Sequence, residues 1–312
     1  MSSELNPVHA ALSHAGVLCL RALGFVVRHL PPAVWGMTAS ALAPVLWLGL
    51  KKHRVRALRN LTEEGHSPRE ARRLGRASFR SNLLVFFEAL AMSRIRAREG
   101  IRVDLAIAPE AEKVLERIRG GEETVAFGLS GHLGVWEILG MELARLCEPT
   151  PVVISSRLVK NPILTRYLRG LREGFGLTLI EKDEFVRYLI RHARAREPRV
   201  YVFLCDQHQK GGLSVPFMGR PACTVAVPAT FHLKYGGPML YGKSERIAPG
   251  HYAIEVHVLD TAPFSERPND EAVFGITAFV NDYLGESIRK VPEQWTWAHR
   301  RWRDCCVERS GA

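Results

Sequence analysis

Twelve histidines and 32 acidic residues in 312 positions make the spacing His-x4-acid common: chance supplies about 1.2 such pairs. The chain has three, His132/Glu137, His192/Glu197 and His299/Asp304. The chemistry open to such a pair is proton transfer. A carboxylate on one imidazole nitrogen fixes the tautomer and raises the basicity of the ring, and the other nitrogen can then take a proton from a hydroxyl. That apparatus suffices for acyl transfer without a covalent enzyme intermediate. Spacing does not choose among the three pairs, but the elements around them do.

His192 stands in a charged stretch and His299 in an arginine-rich tail, neither with a strand leading in. Surface or structural roles are expected for both. His132 follows the apolar run Thr-Val-Ala-Phe-Gly at 124–128 through Leu129-Ser130-Gly131 and opens a helix. It therefore sits at the carboxyl end of a strand, where open α/β sheets bind ligands. Five residues of continuous helix turn through about 500°, so side chains at 132 and 137 diverge by roughly 140°. The pair meets only if His132 lies outside the helix, at or before its N-cap, and the glycine-flanked turn permits that. On spacing and context alone two readings stay open, this base and a packed, hydrogen-bonded histidine.

The elements that must position it alternate beyond Pro109. The pattern predicts helix 110–118, strand 124–128, helix 133–147, strand 151–155, helix 161–174, strand 177–180, helix 183–195 and strand 199–205. Helix 224–235, strands near 238–241 and 252–259, and helix 269–289 follow. The fold class is α/β, a central largely parallel sheet flanked by helices. Asp206 ends a predicted strand, so topology brings it to the same edge as His132, as a second carboxylate near the ring or as a loop cap. Ser67-Pro68-Arg69-Glu70 is a helix start with cap, proline and capping-box acid, and the helix runs to about Ser93. Its Arg69, Arg72, Arg73, Arg76 and Arg80 suit a negative surface or a merely solvated face.

From Leu30 to Leu50 no side chain is charged. As a helix this stretch is long enough for the ~30 Å hydrocarbon core of a bilayer. Pro44, Gly36 and Gly49 interrupt it, and Arg21 and Arg28 mark the apolar stretch before it. A span, a hairpin, an interfacial helix and a buried core helix all remain open. Lys51, Lys52, Arg54, Arg56 and Arg59 follow at once, a cluster expected beside anionic lipid on the cytoplasmic side. A cleaved signal peptide fits poorly. Residues 1–60 are thus expected to form a membrane-associated helical region and 61–312 an α/β domain, with no repeat or linker dividing the latter.

The net charge of +11 and pI near 9.7 favour an anionic partner. No helix-turn-helix, RNP or zinc module points to nucleic acid, and none is expected as a partner. A basic nucleic-acid or membrane-surface protein without catalysis is the non-enzyme alternative. The six cysteines form no C-x-x-C or zinc pattern and are read as reduced, mostly buried thiols.

Several stretches, in order and spacing, resemble the lipid A biosynthesis branch of the lysophospholipid acyltransferase superfamily. They are Leu30-Pro31 with its apolar run and Arg59-Asn60-Leu61, then Gly131-His132-Leu-Gly-Val-Trp136-Glu137. Arg157-Leu-Val-Lys-Asn161-Pro162 with Arg172-x3-Gly176 follows, and then Asp206-Gln207 with Val215-Pro-Phe-Met-Gly219. Pro292-Glu-Gln-Trp295-Thr-Trp297-x-His-Arg300-Arg-Trp302 closes the series. Family members often carry asparagine where this chain has Gly131 and Val135, and a second aromatic where it has Met218. No proton-transfer group is lost, but the acceptor is less defined.

The resemblance implies a glycerolipid acyltransferase-like fold and an O-acyltransferase of the bacterial inner membrane, its catalytic domain on the cytoplasmic face. His132 is then the general base on a lipid hydroxyl, oriented by Glu137. The donor is a thioester of acyl carrier protein or coenzyme A, and the acceptor a lipid A precursor or another lipid such as a glycerolipid or phosphatidylinositol mannoside. A backbone N–H at the helix start, or Arg157, meets the oxyanion. Arg157, Asn161, Arg172, Asp206 and Gln207 bind or support substrate, the two arginines as phosphate or carrier contacts, with no metal or cofactor. The tryptophans of the C-terminal signature suit a membrane interface or the core, and Val215–Gly219 is read as a loop lining an acyl or acceptor groove. A glycerolipid acyltransferase proper usually has aspartate at the fifth position and a Phe-Pro-Glu-Gly block, absent here.

Overall fold

The computed structural model of the chain describes residues 7–156, 161–264, 266 and 269–303. Helices α1 (Pro7–His29), α2 (Pro32–Gly49), α3 (Lys51–Glu63), α4 (Pro68–Leu90) and α5 (Met92–Ala97) lead into strand β1 (Arg102–Ile107) and α6 (Pro109–Arg119). Then come β2 (Val125–Ser130), α7 (Trp136–Cys147), β3 (Val152–Ser156), α8 (Pro162–Glu173), β4 (Leu177–Glu181), α9 (Lys182–Arg194) and β5 (Arg199–Leu204). A two-stranded hairpin, β6 (Leu213–Phe217) and β7 (Arg220–Thr224), precedes α10 (Val227–Tyr235), β8 (Met239–Ala248), β9 (His251–Val258) and α11 (Asn269–Lys290).

Seven strands form one sheet in the order β1-β9-β8-β2-β5-β3-β4, and every neighbouring pair is parallel except the β8/β9 hairpin. The expected α/β class is what the chain adopts. Every residue of β2 is buried, as a strand covered by helices on both faces must be. Alternate residues serve the two faces. Phe127 and Leu129 join Tyr201 and Phe203 in one core cluster, whereas Ala126 joins Val200 and Leu240 in the other with α6 and α7. β2 and β5 pair in parallel with Ser130 level with Leu204. The chain therefore leaves both strands at one height, and residues 132 and 206 emerge side by side.

Differences from the sequence reading have local causes. α7 begins at Trp136, not 133, because Leu133–Val135 make a turn. Gly134 sits there at φ +58, and a Cβ on it would lie 2.1 Å from the Ser244 carbonyl oxygen. β1, an edge strand of alternating exposure, and the β6/β7 hairpin had not been anticipated. The Val215–Gly219 segment is a correction. It is no groove-lining loop, since Val215, Phe217 and Met218 are buried and Met218 packs on Gly285 of α11.

The α4 start is as its sequence requires: the Ser67 hydroxyl accepts the Glu70 backbone N–H at 3.3 Å, with Pro68 at the first helical position. α2 packs along α4. Trp35, Ala39, Ala43 and Trp47, four residues apart, are buried on that side, and Gly75 leaves room for the Trp47 ring. The opposite side of α2 exposes Met37, Leu42, Val45 and Leu48.

Candidate active site

His132 lies just past β2 in a turn held from both sides. The Ser130 hydroxyl donates to the Gly242 carbonyl at 2.7 Å. At Gly131 a Cβ would come within 2.9 Å of Leu284 and 3.2 Å of Asp206, so the absent side chain is what lets Asp206 close on the turn. The Asp206 carboxylate receives three hydrogen bonds. Oδ1 is 2.8 Å from Nδ1 of His132, and Oδ2 accepts the His132 backbone N–H at 2.9 Å and the Trp295 indole N–H at 2.8 Å.

Asp206 is 2 % exposed. Burial alone would raise its pKa, but the His132 charge and the hydrogen bonds outweigh that and hold the carboxyl well below the usual carboxylate range. For His132, burial pulls the pKa down, and the Asp206 charge and hydrogen bond, with Glu137 behind them, bring it above its ordinary value. The two shifts agree on one arrangement: an anionic Asp206 that favours the imidazolium.

Glu137 was expected on the ring, yet the carboxylate at Nδ1 is that of Asp206. Glu137, in the first turn of α7, is instead gripped by Arg172 of α8. Nη2 lies 2.6 Å from Oε1, and Nε lies 3.2 Å from each oxygen. That guanidinium lies 5.5 Å from the Trp136 ring, which in turn sits 5.0 Å from His132. His132 lies outside α7, as the pairing would need, but Arg172 holds the Glu137 carboxylate, so Glu137 acts on His132 only through space. The His-x4-acid pair that does touch is His192/Glu197, 2.6 Å apart at the exposed end of α9. Asp304 lies outside the described residues.

The other anticipated residues divide. Gln207 borders the ring, its amide nitrogen 3.2 Å from each imidazole nitrogen. Only the nitrogen not bonded to Asp206 can accept from it. Asn161 does structural work: its Oδ1 accepts the Ile163 N–H at 3.0 Å and its amide donates to Ser13 at 2.6 Å, tying α8 to α1. Arg157 lies outside the described residues. The tryptophans are core: Trp295 and Trp297 are each 1 % exposed, and the Trp302 indole donates to the Phe217 carbonyl.

His132 opens onto a cavity of about 490 Å³. Trp136, Glu137, Arg172, Lys182 and Gln207 stand among its polar and aromatic lining. Farther in it is an apolar slot between α7 and the sheet, walled by Leu139, Leu143, Val202 and Leu240, with Gly128, Gly140 and Gly242 keeping it open. Lys182, whose ammonium donates to Gln209 Oε1 at 2.9 Å, was missed by sequence reasoning. Its only signal was its place just past the end of a parallel strand. The Trp295 bond to Asp206 joins positions 89 residues apart and had no local signal.

Buried Arg301 bonds the carbonyls of Gln207 and Cys223 and so fixes the loop after Asp206. Burial pushes the thiols of Cys147 and Cys205 up to about 12, which makes them inert. Cys19, Cys147 and Cys205 are free thiols, and Cys305 and Cys306 lie outside the described residues.

A family model described as bacterial lipid A biosynthesis acyltransferase matches residues 6–304. No curated protein matches the chain.

Proposed function

Because this chain belongs to the bacterial lipid A biosynthesis acyltransferase family, a family of non-aminoacyl acyltransferases, we propose that His132 is its general base, with Asp206 as the carboxylate that orients it. The base takes the proton of a lipid A precursor hydroxyl. The oxygen attacks the carbonyl of an acyl thioester, on carrier protein or coenzyme A, and the protonated His132 returns the proton to the departing thiolate. The observation that carries this reading is the pairing of Nδ1 with a buried, anionic Asp206 while the same ring lines a cavity with an apolar slot. An acyl chain fits such a slot: it is apolar and needs no polar partner.

Trp136 and Glu137 border the cavity at the start of α7, so the amides of the first helical turn lie near the developing oxyanion. The Arg172/Glu137 pair stands at the same place. Arg172 can exchange part of its grip on Glu137 for an anionic substrate group, since a guanidinium binds phosphate and carboxylate alike.

The membrane reading takes a specific form. α2 buries one narrow side on α4 and exposes Met37, Leu42, Val45 and Leu48 on the other. A helix half covered by its own protein suits partial immersion in one leaflet better than a lone span. The exposed Lys51, Lys52, Arg59 and the α4 arginines would meet lipid phosphates, with the catalytic domain on the cytoplasmic face of the inner membrane.

The test is transfer of a dodecanoyl chain from dodecanoyl-coenzyme A or dodecanoyl carrier protein to a lipid A precursor in detergent. His132→Ala should stay folded and lose turnover by on the order of 10²–10⁴-fold. Undiminished turnover in a folded variant sinks the mechanism.

A further inference from the structure

We propose that Trp295 is a positioning residue of the acyl-transfer centre, its indole N–H locking the Asp206 carboxylate in the orientation that His132 requires. This rests on the reading of His132 and Asp206 as base and orienting acid. A carboxylate held through Oδ1 alone can swing about its Cβ–Cγ bond. Here Oδ2 takes two donors, the His132 backbone at 2.9 Å and the Trp295 indole at 2.8 Å, which leaves Oδ1 facing Nδ1. Of the three donors on Asp206, two belong to His132 itself. Trp295 is the one supplied by a separate part of the chain.

That part of the chain is fastened on every side. The Trp295 carbonyl accepts the buried Ser78 hydroxyl of α4, and its backbone bridges Leu133 in the catalytic turn. The neighbouring Gln294 carbonyl accepts the Gly134 N–H at 3.2 Å. The Gln294 side chain clasps the backbone of Arg246 in β8, accepting its N–H at 2.8 Å and donating to its carbonyl at 3.0 Å. Rings of Trp297, Phe217 and Trp302 stand 4.8, 5.9 and 5.9 Å from the indole. One short segment thus grips the turn bearing His132 and the acid facing it, fixing their separation. A tryptophan present only to fill volume would need the rings but not the aimed N–H.

The charged and titratable groups around the pair are Glu137 and Arg172 from α7 and α8, Tyr241 from β8, Arg301 and His299 from the C-terminal segment, and Cys205 and His208 after β5. None of the seven makes a hydrogen bond to Asp206 among the described residues. Removing the indole N–H leaves more negative charge for the imidazolium, which moves the acid limb of the pH-rate profile to higher pH.

The experiment replaces Trp295 by phenylalanine and, separately, by 3-benzothienylalanine, which keeps the bicyclic shape and puts sulfur where the N–H was. Both are assayed for dodecanoyl transfer in detergent, with thermal melts to check the fold. Expected for the benzothienyl protein are an unchanged melt, a kcat lower by about 10–100-fold, a KM within about twofold of wild type, and the acid limb moved upward. Wild-type kcat with an unmoved limb overturns the role of Trp295. The phenylalanine protein, if folded, should match it, whereas wild-type kcat there overturns the role equally. Failure of the underlying reading looks different: His132→Ala would then keep its activity whatever happens at Trp295.

Discussion

At the scale of single residues, the contact between His132 and Asp206 sets, under the proposed mechanism, opposite demands on stability and turnover. Asp206 is depressed in the folded state, so its contribution is present above the unfolded carboxylate value of about 3.9 and is lost as pH falls through the folded one. His132 is raised, so its contribution is present below about 6.5 and is lost as pH rises through its folded value. Between those limits the pair stabilises the fold as an ion pair. A general base must be neutral, so turnover should grow on the alkaline side, where that stabilisation fades. In Asp206→Asn the imidazolium loses its counter-charge, and the acid limb of kcat/KM should move to lower pH while kcat falls by on the order of 10²–10⁴-fold. Glu137→Gln should do less to kcat and more to KM, because Glu137 holds Arg172 rather than the ring. If the Glu137 variant were the more damaged in kcat, Asp206 would not be the orienting acid.

At the scale of elements, α7 has two tasks. Its first turn borders the cavity beside His132, and its inner face lines the apolar part of that cavity with residues of β2, β5 and β8. The slot exists because glycines stand where side chains would meet. A Cβ on Gly128 would lie 3.0 Å from Val202 and 3.1 Å from Leu143. Gly140 is roomier, with Leu177 at 3.6 Å, an ordinary contact. Gly140→Ala should therefore raise the melting temperature, since alanine is favoured in a helix interior by about 1 kcal/mol. The added methyl also narrows the slot. For a chain that reaches it, each displaced methylene should lower kcat/KM by at least about tenfold, shifting preference to shorter donors. A donor series of increasing length assayed on this variant would reveal the shift, and an unchanged preference would mean the acyl chain lies elsewhere.

Across the whole molecule, the helices that face outward and those that build the site share one packing. α4 lies against α2 on one side and reaches Trp295 through Ser78 on the other, so three contacts in a row link α2 to Asp206. If α2 rests in a leaflet, replacing Val45 and Leu48 by aspartate should weaken flotation with vesicles by about 10–100-fold while transfer in detergent persists. Binding of the wild-type protein to anionic vesicles should also fall with salt, as the exposed basic residues are screened. Equal flotation of the double variant would remove α2 from the membrane contact.

The sequence by itself determined the α/β class and most helices and strands to within a few residues, and it put His132 at the carboxyl end of a strand. These are local properties: hydrophobic periods of two and 3.6, caps such as Ser67-Pro68, and a strand running into a small-residue turn. A resemblance in the order of motifs added the acyl-transfer chemistry. Which carboxylate meets His132 was settled only by the tertiary structure. Position 137 is near in sequence but its carboxylate is taken by Arg172 of α8, while position 206 is distant yet level with 132 because β2 and β5 pair in parallel register. Likewise the core tryptophans, the β6/β7 hairpin read as a groove loop, and the indole on Asp206 depend on segments that meet only when the sheet and the C-terminal segment close around one another. No periodicity along the chain records such a meeting, so the sequence could bring Asp206 to the edge of the sheet where His132 lies but could not choose it over Glu137.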